Sequence, residues 1–168
     1  MTSAGPAHRL VLRAMRRKDA GAVARMMKGL QLFHKDKSRT TARHFLQFCF
    51  GPKKLAQGWM ATLDGLPVAF AITCDWMNFV RVSQQRTLHL LYIEDGFRRM
   101  GIGEALVRYV GAEGRAKGVG IFDTSASLHN KDANKFYQKL GFEKYGAYSQ
   151  RYRVEGEAFV TLTKKRKR

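Results

Sequence analysis

Tyr92-Ile93-Glu94-Asp95-Gly96-Phe97-Arg98-Arg99-Met100-Gly101-Ile102-Gly103-Glu104-Ala105 is the stretch that decides how this 168-residue chain folds. An apolar strand ends at Ile93, a short turn carries Arg98 and Arg99, and two glycines open a helix. Glycine lets a backbone approach a ligand with no Cβ in the way. A helix start offers unspent N–H groups at the positive end of its dipole. The stretch therefore reads as a phosphate-binding turn. It is not G-x-x-x-x-G-K-[ST], a run the chain lacks. Nor is it the dinucleotide fingerprint, which needs a third small residue where Leu106 stands. What remains is Arg98-x-x-Gly101-x-Gly103. By itself this also fits a glycine-rich helix start whose arginines face solvent.

Working outward, Thr87–Ile93 reads as a buried strand that feeds the turn. Residues 101–117 read as a helix with Ile102, Ala105, Leu106 and Tyr109 on one face. Val119–Ser127 is the next strand. Asn130 then caps a short helix carrying Ala133, Phe136, Tyr137 and Leu140, closed by Gly141. Upstream, residues 10–14 read as a strand. Asp19 opens a helix with Val23, Met26, Met27 and Leu30 in register, and a second helical run from Thr41 to Phe50 stops at Gly51-Pro52. Trp59–Leu63 and Pro67–Cys74 flank Asp64-Gly65 as a hairpin. Residues 75–86 fit either a continued strand or a loop. Tyr148–Val154 and Glu157–Thr163 flank Glu155-Gly156 as a second hairpin. Strands that pair as hairpins early and alternate with helices late imply a mixed α/β sheet covered by helices.

About thirty residues after the turn stands Asn130-x-x-Ala133-x-x-Phe136-Tyr137-x-x-Leu140-Gly141-Phe142. Strand, R-x-x-G-x-G, strand and this second motif, in order and at this spacing, resemble the GNAT superfamily of N-acetyltransferases. The resemblance is sharp over residues 87–143 and extends over about residues 10–163. It implies a mostly antiparallel central sheet with a splayed parallel strand pair, helices on both faces, and a single domain over residues 1–163 followed by a basic tail at 164–168. It also implies acetyl-CoA as cosubstrate and no metal. The pyrophosphate would rest on the N–H groups of Arg99, Met100, Gly101, Ile102 and Gly103 beside Arg98. The pantetheine arm would run along the strand edge at Leu91 and Ile93, with Asn130 touching it. The Leu91 N–H would face the developing oxyanion. Tyr137 falls at the general-acid position, and a packed aromatic with a bonded hydroxyl is the other reading of it.

The base is where this chain departs from the family. Glutamates common at positions 87 or 89 are absent here. With side chains alternating along a strand, Thr87, His89, Leu91 and Ile93 share one side, and His89 is the only titratable residue among them. Imidazole titrates near neutrality, so His89 is either the base or a histidine satisfied by its neighbours in the sheet. Glu94 and Asp95 either attract a cationic substrate or are solvated. In the superfamily, specificity comes from segments that here are residues 28–50 and 75–86. Phe33, His34, Phe45, Trp76 and Phe79 in them are candidates for a pocket wall or for core.

Composition sets the outer bounds. Apolar residues make up 45% and charged residues 26% of the chain, an ordinary globular balance. At this length about 70% of the unfolded surface is buried, enough to fold without a metal or disulfide. Cys49 and Cys74 lack metal spacing, no run reaches the ~20 apolar residues of a membrane span, and the N-terminus lacks a signal-like apolar core. A cytoplasmic location follows as the expectation. The net charge of +18 divides as +9 over residues 1–50, +4 over 51–150 and +5 over 151–168. Basic ends either aid solubility or hold a polyanion. The readings that stay open are an acetyltransferase acting on a small-molecule or protein amine, a CoA-binding sensor without turnover, and a nucleic-acid or ribosome-associated module using the basic ends. A homodimer is admitted, and the sequence does not set the oligomeric state.

Overall fold

The structure, a computed structural model, describes residues 8–34 and 40–145, with Phe33 and His34 described in backbone only. The second expected hairpin and the basic tail lie outside the described residues. The elements run β1 (Leu10–Ala14), α1 (Ala20–His34), α2 (Ala42–Phe50), β2 (Gln57–Leu63), β3 (Leu66–Asn78), β4 (Ser83–Ile93), α3 (Ile102–Ala116), β5 (Val119–Thr124) and α4 (Lys131–Lys139). The described strands form one sheet in the order β1-β2-β3-β4-β5. The first three pairings are antiparallel and β4–β5 is parallel.

Each face of the sheet has its own core. Val23, Met26 and Met27 of α1 and Phe45 and Cys49 of α2 bury against Met60, Phe70, Ile72 and Tyr92. On the other face Ile102, Leu106, Val107 and Val110 of α3 bury against Trp59, Ala61, Val68 and Leu88, with Phe136, Tyr137 and Leu140 packed alongside. These helical positions are three or four apart, the spacing that brings side chains onto one stripe. Phe45 lies in this core, edge-on to Phe70.

Two arginine–carboxylate pairs pin the layers. Arg13 on β1 grips the buried Asp19 with both guanidinium nitrogens, at 2.6 and 2.9 Å, while the Arg16 N–H donates to the same carboxylate at 2.6 Å. Burial alone would push that carboxyl up, but Arg13 and the Arg16 N–H outweigh burial and hold it below the ordinary aspartate value. Arg86 on β4 is buried, grips Asp75 at 2.8 and 2.7 Å, donates to the Val110 carbonyl of α3 at 3.0 Å, and lies over the Trp59 ring. Removing one partner of such a pair leaves an uncompensated buried charge, at a cost of about 3–5 kcal/mol.

Residues 75–86 are both strand and turn. β3 continues to Asn78, and β4 begins at Ser83 rather than Thr87. β5 ends at Thr124, three residues before the expected Ser127. No helix among the described residues is long and apolar enough to cross a membrane.

The strict alternation expected along β4 fails at one place. Ile72 pairs with Leu90 and Thr73 with Leu88, so His89 is an extra residue in the ladder. Such a bulge resets which face each later side chain takes. Leu90 joins the α1/α2 core with Tyr92, whereas Leu88, Leu91 and Ile93 all join the α3/α4 core. Leu88 and Leu91, three apart, thus lie on the same face. Thr87, on the other side of the bulge, accepts a hydrogen bond from the Trp76 indole. The expectation that Thr87, His89, Leu91 and Ile93 share one side is therefore corrected.

Candidate functional site

The site begins where β4 and β5 part. Their last paired residues are Leu88 and Thr124, tied by a hydrogen bond from the Thr124 hydroxyl to the Leu88 carbonyl at 3.0 Å. β4 runs on to Ile93 with no described strand on that edge, while the chain after Thr124 turns into the loop before α4. A cavity of about 370 Å³ fills the gap. Its walls come from both faces of the sheet: Met27, Leu30 and Gln31 of α1 on one side, Asn130, Ala133 and Tyr137 on the other. Among the described residues, a gap in the sheet results whose walls come from both of its faces. His89, Leu91 and Thr124 lie along it.

At the far end of this β4 edge, the turn expected to hold phosphate has an unusual backbone. Arg99 and Gly101 both adopt positive φ, 63° and 77°. Gly101 caps α3 in the left-handed conformation that side chains disfavour. The first α3 ladder bond is donated by the Ala105 N–H to the Gly101 carbonyl at 2.9 Å. The N–H groups of Ile102, Gly103 and Glu104 are left unspent at the helix start. Arg99, Met100 and Gly101 are exposed, whereas the Ile102 side chain is buried, so Ile102 has only its backbone to offer a ligand.

Gly103 needs a different explanation from the one its place in the motif suggests. A Cβ there would come within 3.0 Å of the Ile93 side chain and 3.7 Å of the Phe136 ring. The missing side chain lets α3 close on β4 and α4; it does not clear space above the turn. Arg98 is likewise more than a free charge. Its guanidinium pairs with Asp95 at 2.6 Å, donates to the Ile93 carbonyl at 3.2 Å, and lies over the Tyr92 ring. It braces the turn to the end of β4.

On the opposite flank, the Asn130 carboxamide oxygen caps α4 by accepting the Ala133 N–H at 3.0 Å. Asn134 ties the loop by donating to the Ser127 and Asn130 carbonyls at 2.8 and 2.7 Å. Tyr137 sits between Phe136 and Phe142, each ring edge-on to it. Burial pushes its phenol above the ordinary tyrosine value, and a hydrogen bond with Thr124 only partly offsets that. The phenol therefore keeps its proton across the physiological range, as a proton donor must.

His89 is exposed at the bulge. Among the described residues, it and Tyr137 are the only titratable ones in the cavity wall, and none of the described wall residues is Asp or Glu. Trp76 and Phe79 are exposed on the β3–β4 hairpin and do not line the cavity. Sequence reasoning missed Thr124 and Gln31. Thr124 carries no local signal, because its role comes from being the last paired residue of β5. Gln31 does carry one: it stands four residues after Met27 and eight after Val23, a polar residue on an apolar stripe.

These features fit a ligand with a phosphate group at the α3 start, a polar arm along the β4 edge and a reactive end in the gap. The family described as "Acetyltransferase (GNAT) domain" matches residues 54–144, just over half of the chain. The chain is similar to an uncharacterized N-acetyltransferase of Methanocaldococcus jannaschii, with 30% identity over 87 residues, or 51% of this chain and 38% of that protein. The match thus spans well under half of that relative's length. Among solved structures, an integron cassette protein from V. cholerae superposes with a TM-score of 0.77 at 17% identity, over 93% of this chain and 98% of the other. An aminoglycoside N-acetyltransferase in complex with CoA superposes with a TM-score of 0.73 at 21% identity, over 90% of this chain and 99% of the other. At such identities the structural likenesses establish the fold.

Proposed function

Because the chain belongs to the GNAT acetyltransferase family, we propose that it transfers the acetyl group of acetyl-CoA to a primary amine, small-molecule or protein-borne, by direct attack in a ternary complex. The observation that carries this reading is the gap in the sheet where β4 and β5 part. Donor and acceptor enter from opposite faces and meet beside Tyr137 and His89.

Acetyl-CoA supplies an activated acyl group and a thiol leaving group. The N–H groups of residues 99–104 and the dipole of α3 hold its pyrophosphate. The edge of β4 at Leu91 and Ile93 aligns its amide-bearing arm, with Asn130 across the cleft. The Leu91 N–H stabilises negative charge that develops on the acyl oxygen. An alkylamine with pKa ~10.4 holds its proton at neutral pH, and removing it costs about 4 kcal/mol. His89 takes that proton, directly or through water. Tyr137 gives its proton to the departing sulfur. A thiol with pKa ~8.5 is close enough to a phenol for the transfer to be useful and for solvent to restore the phenol.

Calorimetry and thermal shift with acetyl-CoA, followed by thiol release with a panel of amines, test the reading. Binding together with amine-dependent thiol release is the expected result. No heat and no shift at millimolar acetyl-CoA would overturn it. Binding without thiol release from any amine would favour the sensor reading, for which the lack of a carboxylate among the described wall residues is the supporting observation.

A further inference from the structure

The two sides of the gap offer a ligand different chemistry. On the α1 side the wall is Met27, Leu30, Gln31, Thr40 and His89, with no acid among them. A polycationic acceptor recognised through its charges needs carboxylates close by. Among the described residues of this wall it would meet thioether, aliphatic, amide, hydroxyl and imidazole groups, in a chain of net charge +18. Gln31 is the anomaly in this wall. It sits on the apolar stripe of α1, and its Nε2 is buried with no hydrogen-bond partner. A buried donor left unmatched costs about 1–3 kcal/mol, and such groups in native proteins call for a specific explanation. Met27 and Leu30 flank it, so whatever satisfies the amide also presents apolar surface beside the accepting atom.

We propose that Gln31 is a specificity-determining residue of the acceptor site, whose side-chain amide donates to an oxygen next to the reacting amine. The acceptor class is then an amine with a neighbouring carbonyl or carboxylate and an apolar substituent, as in an apolar amino acid or the N-terminus of a peptide, rather than a polyamine or an aminosugar. This rests on the acetyl-transfer reading and narrows it. A site that donates to a substrate oxygen rejects the analogue lacking it, because the protein donor is then left unpaired.

The test compares thiol release from acetyl-CoA with leucinamide, leucine, 3-methylbutylamine (the same skeleton without the oxygen) and spermidine. The expected order puts leucinamide or leucine at least tenfold above 3-methylbutylamine in kcat/KM, and the pair distinguishes a neutral carbonyl from a carboxylate. Gln31→Leu, which suits an apolar stripe, should bring the oxygen-bearing amines down to the level of 3-methylbutylamine. The loss should fall mainly in KM, with 3-methylbutylamine itself and the CoA Kd unchanged within twofold. Gln31→Glu should lower kcat/KM for leucine further still, through repulsion of its carboxylate. Spermidine or 3-methylbutylamine reacting as well as leucinamide and leucine, or a gain in Gln31→Glu, would overturn this assignment alone. CoA binding with no turnover of any amine would overturn the transfer reading, and this one with it.

Discussion

The two walls of the gap are made of different material. On the α3/α4 side, the groups available to a ligand are largely backbone: the N–H groups at the start of α3, the edge of β4 on which no described strand lies and the left-handed turn at Arg99 and Gly101. On the α1 side they are side chains projecting from a regular helix and from the bulge at His89. Backbone recognition constrains which residues stand nearby, since left-handed φ favours glycine, as at Gly101, and two elements that close on each other leave room for no more than one, as at Gly103. Side-chain recognition leaves the helix free to change its contacts without disturbing the fold. On the proposed reading, the backbone-built side is the donor wall, and the side-chain-built side is the acceptor wall, which sets selectivity.

The largest effect should come where the walls meet. Tyr137→Phe keeps the ring contacts with Phe136 and Phe142 and removes the hydroxyl, and with it the proton donor and its hydrogen bond with Thr124. It should lower kcat by roughly 10- to 1000-fold while leaving the CoA Kd within about twofold. The pH dependence carries a sign. Tyr137 acts in its protonated form, and burial raises its pKa, so the alkaline fall in kcat should lie above the ordinary tyrosine value of ~10 and should vanish in Tyr137→Phe. His89→Ala should instead abolish the acid limb of kcat/KM, because among the described residues no titratable group but His89 and Tyr137 lines the cavity. An unaltered acid limb would assign proton removal to water or to the amine itself.

Within the donor wall, two glycines separate packing from backbone conformation. Gly103→Val drives branched carbon into Ile93 and Phe136, an overpacking of about 1–3 kcal/mol. It should tilt the start of α3 and raise the CoA Kd about tenfold along with a lower Tm. Gly101→Ala meets no atom within 4 Å, but the residue holds φ at 77°. It should cost about 1–2 kcal/mol of stability with a smaller change in Kd. Paired melting and calorimetry on the two variants check this. Equal losses of affinity would mean that the turn's conformation, not the seating of α3 on β4, sets CoA binding.

The same division explains what could be read from the chain. The R-x-x-G-x-G turn, the Asn130 cap and the Asp64-Gly65 hairpin are local devices, each needing particular residues at fixed offsets, and all three are found where expected. The bulge at His89 is not local. A single extra residue is decided by the pairing of β3 with β4, and nothing in Thr87–Ile93 announces it. It nonetheless reverses the side on which Leu91 and Ile93 lie relative to Thr87. Nor does Thr124 announce itself as the end of β5, since Ser125-Ala126-Ser127 contains no Gly, Pro, Asn or Asp to stop a strand. The aromatic residues left open between pocket wall and core show the converse difficulty. Ring size marks Phe45 and Trp76 but does not distinguish core or hairpin surface from cavity wall.

The smallest effect concerns Arg98, whose charge the motif assigns to phosphate. Its guanidinium is already engaged by Asp95, the Ile93 carbonyl and the Tyr92 ring. Arg98 and Asp95 are both substantially exposed, their side chains keeping 39% and 80% of full exposure. Ion pairs this exposed contribute about 0–1 kcal/mol. Losing Arg98 in Arg98→Ala should therefore weaken CoA binding by only about two- to fivefold, and a Lys at that position should recover part of it without bridging to Ile93. Asp95→Asn should act in the opposite direction, removing a negative charge beside the phosphate position and tightening CoA by up to about twofold. Both effects should shrink as salt rises from 50 to 500 mM, since the Debye length falls below the size of the turn. Calorimetric titrations of the three variants across that range measure it. A loss of a hundredfold or more in Arg98→Ala, undiminished by salt and with Tm unchanged, would mean that Arg98 leaves Asp95 to clamp the phosphate directly, and that side chain rather than backbone dominates the donor wall.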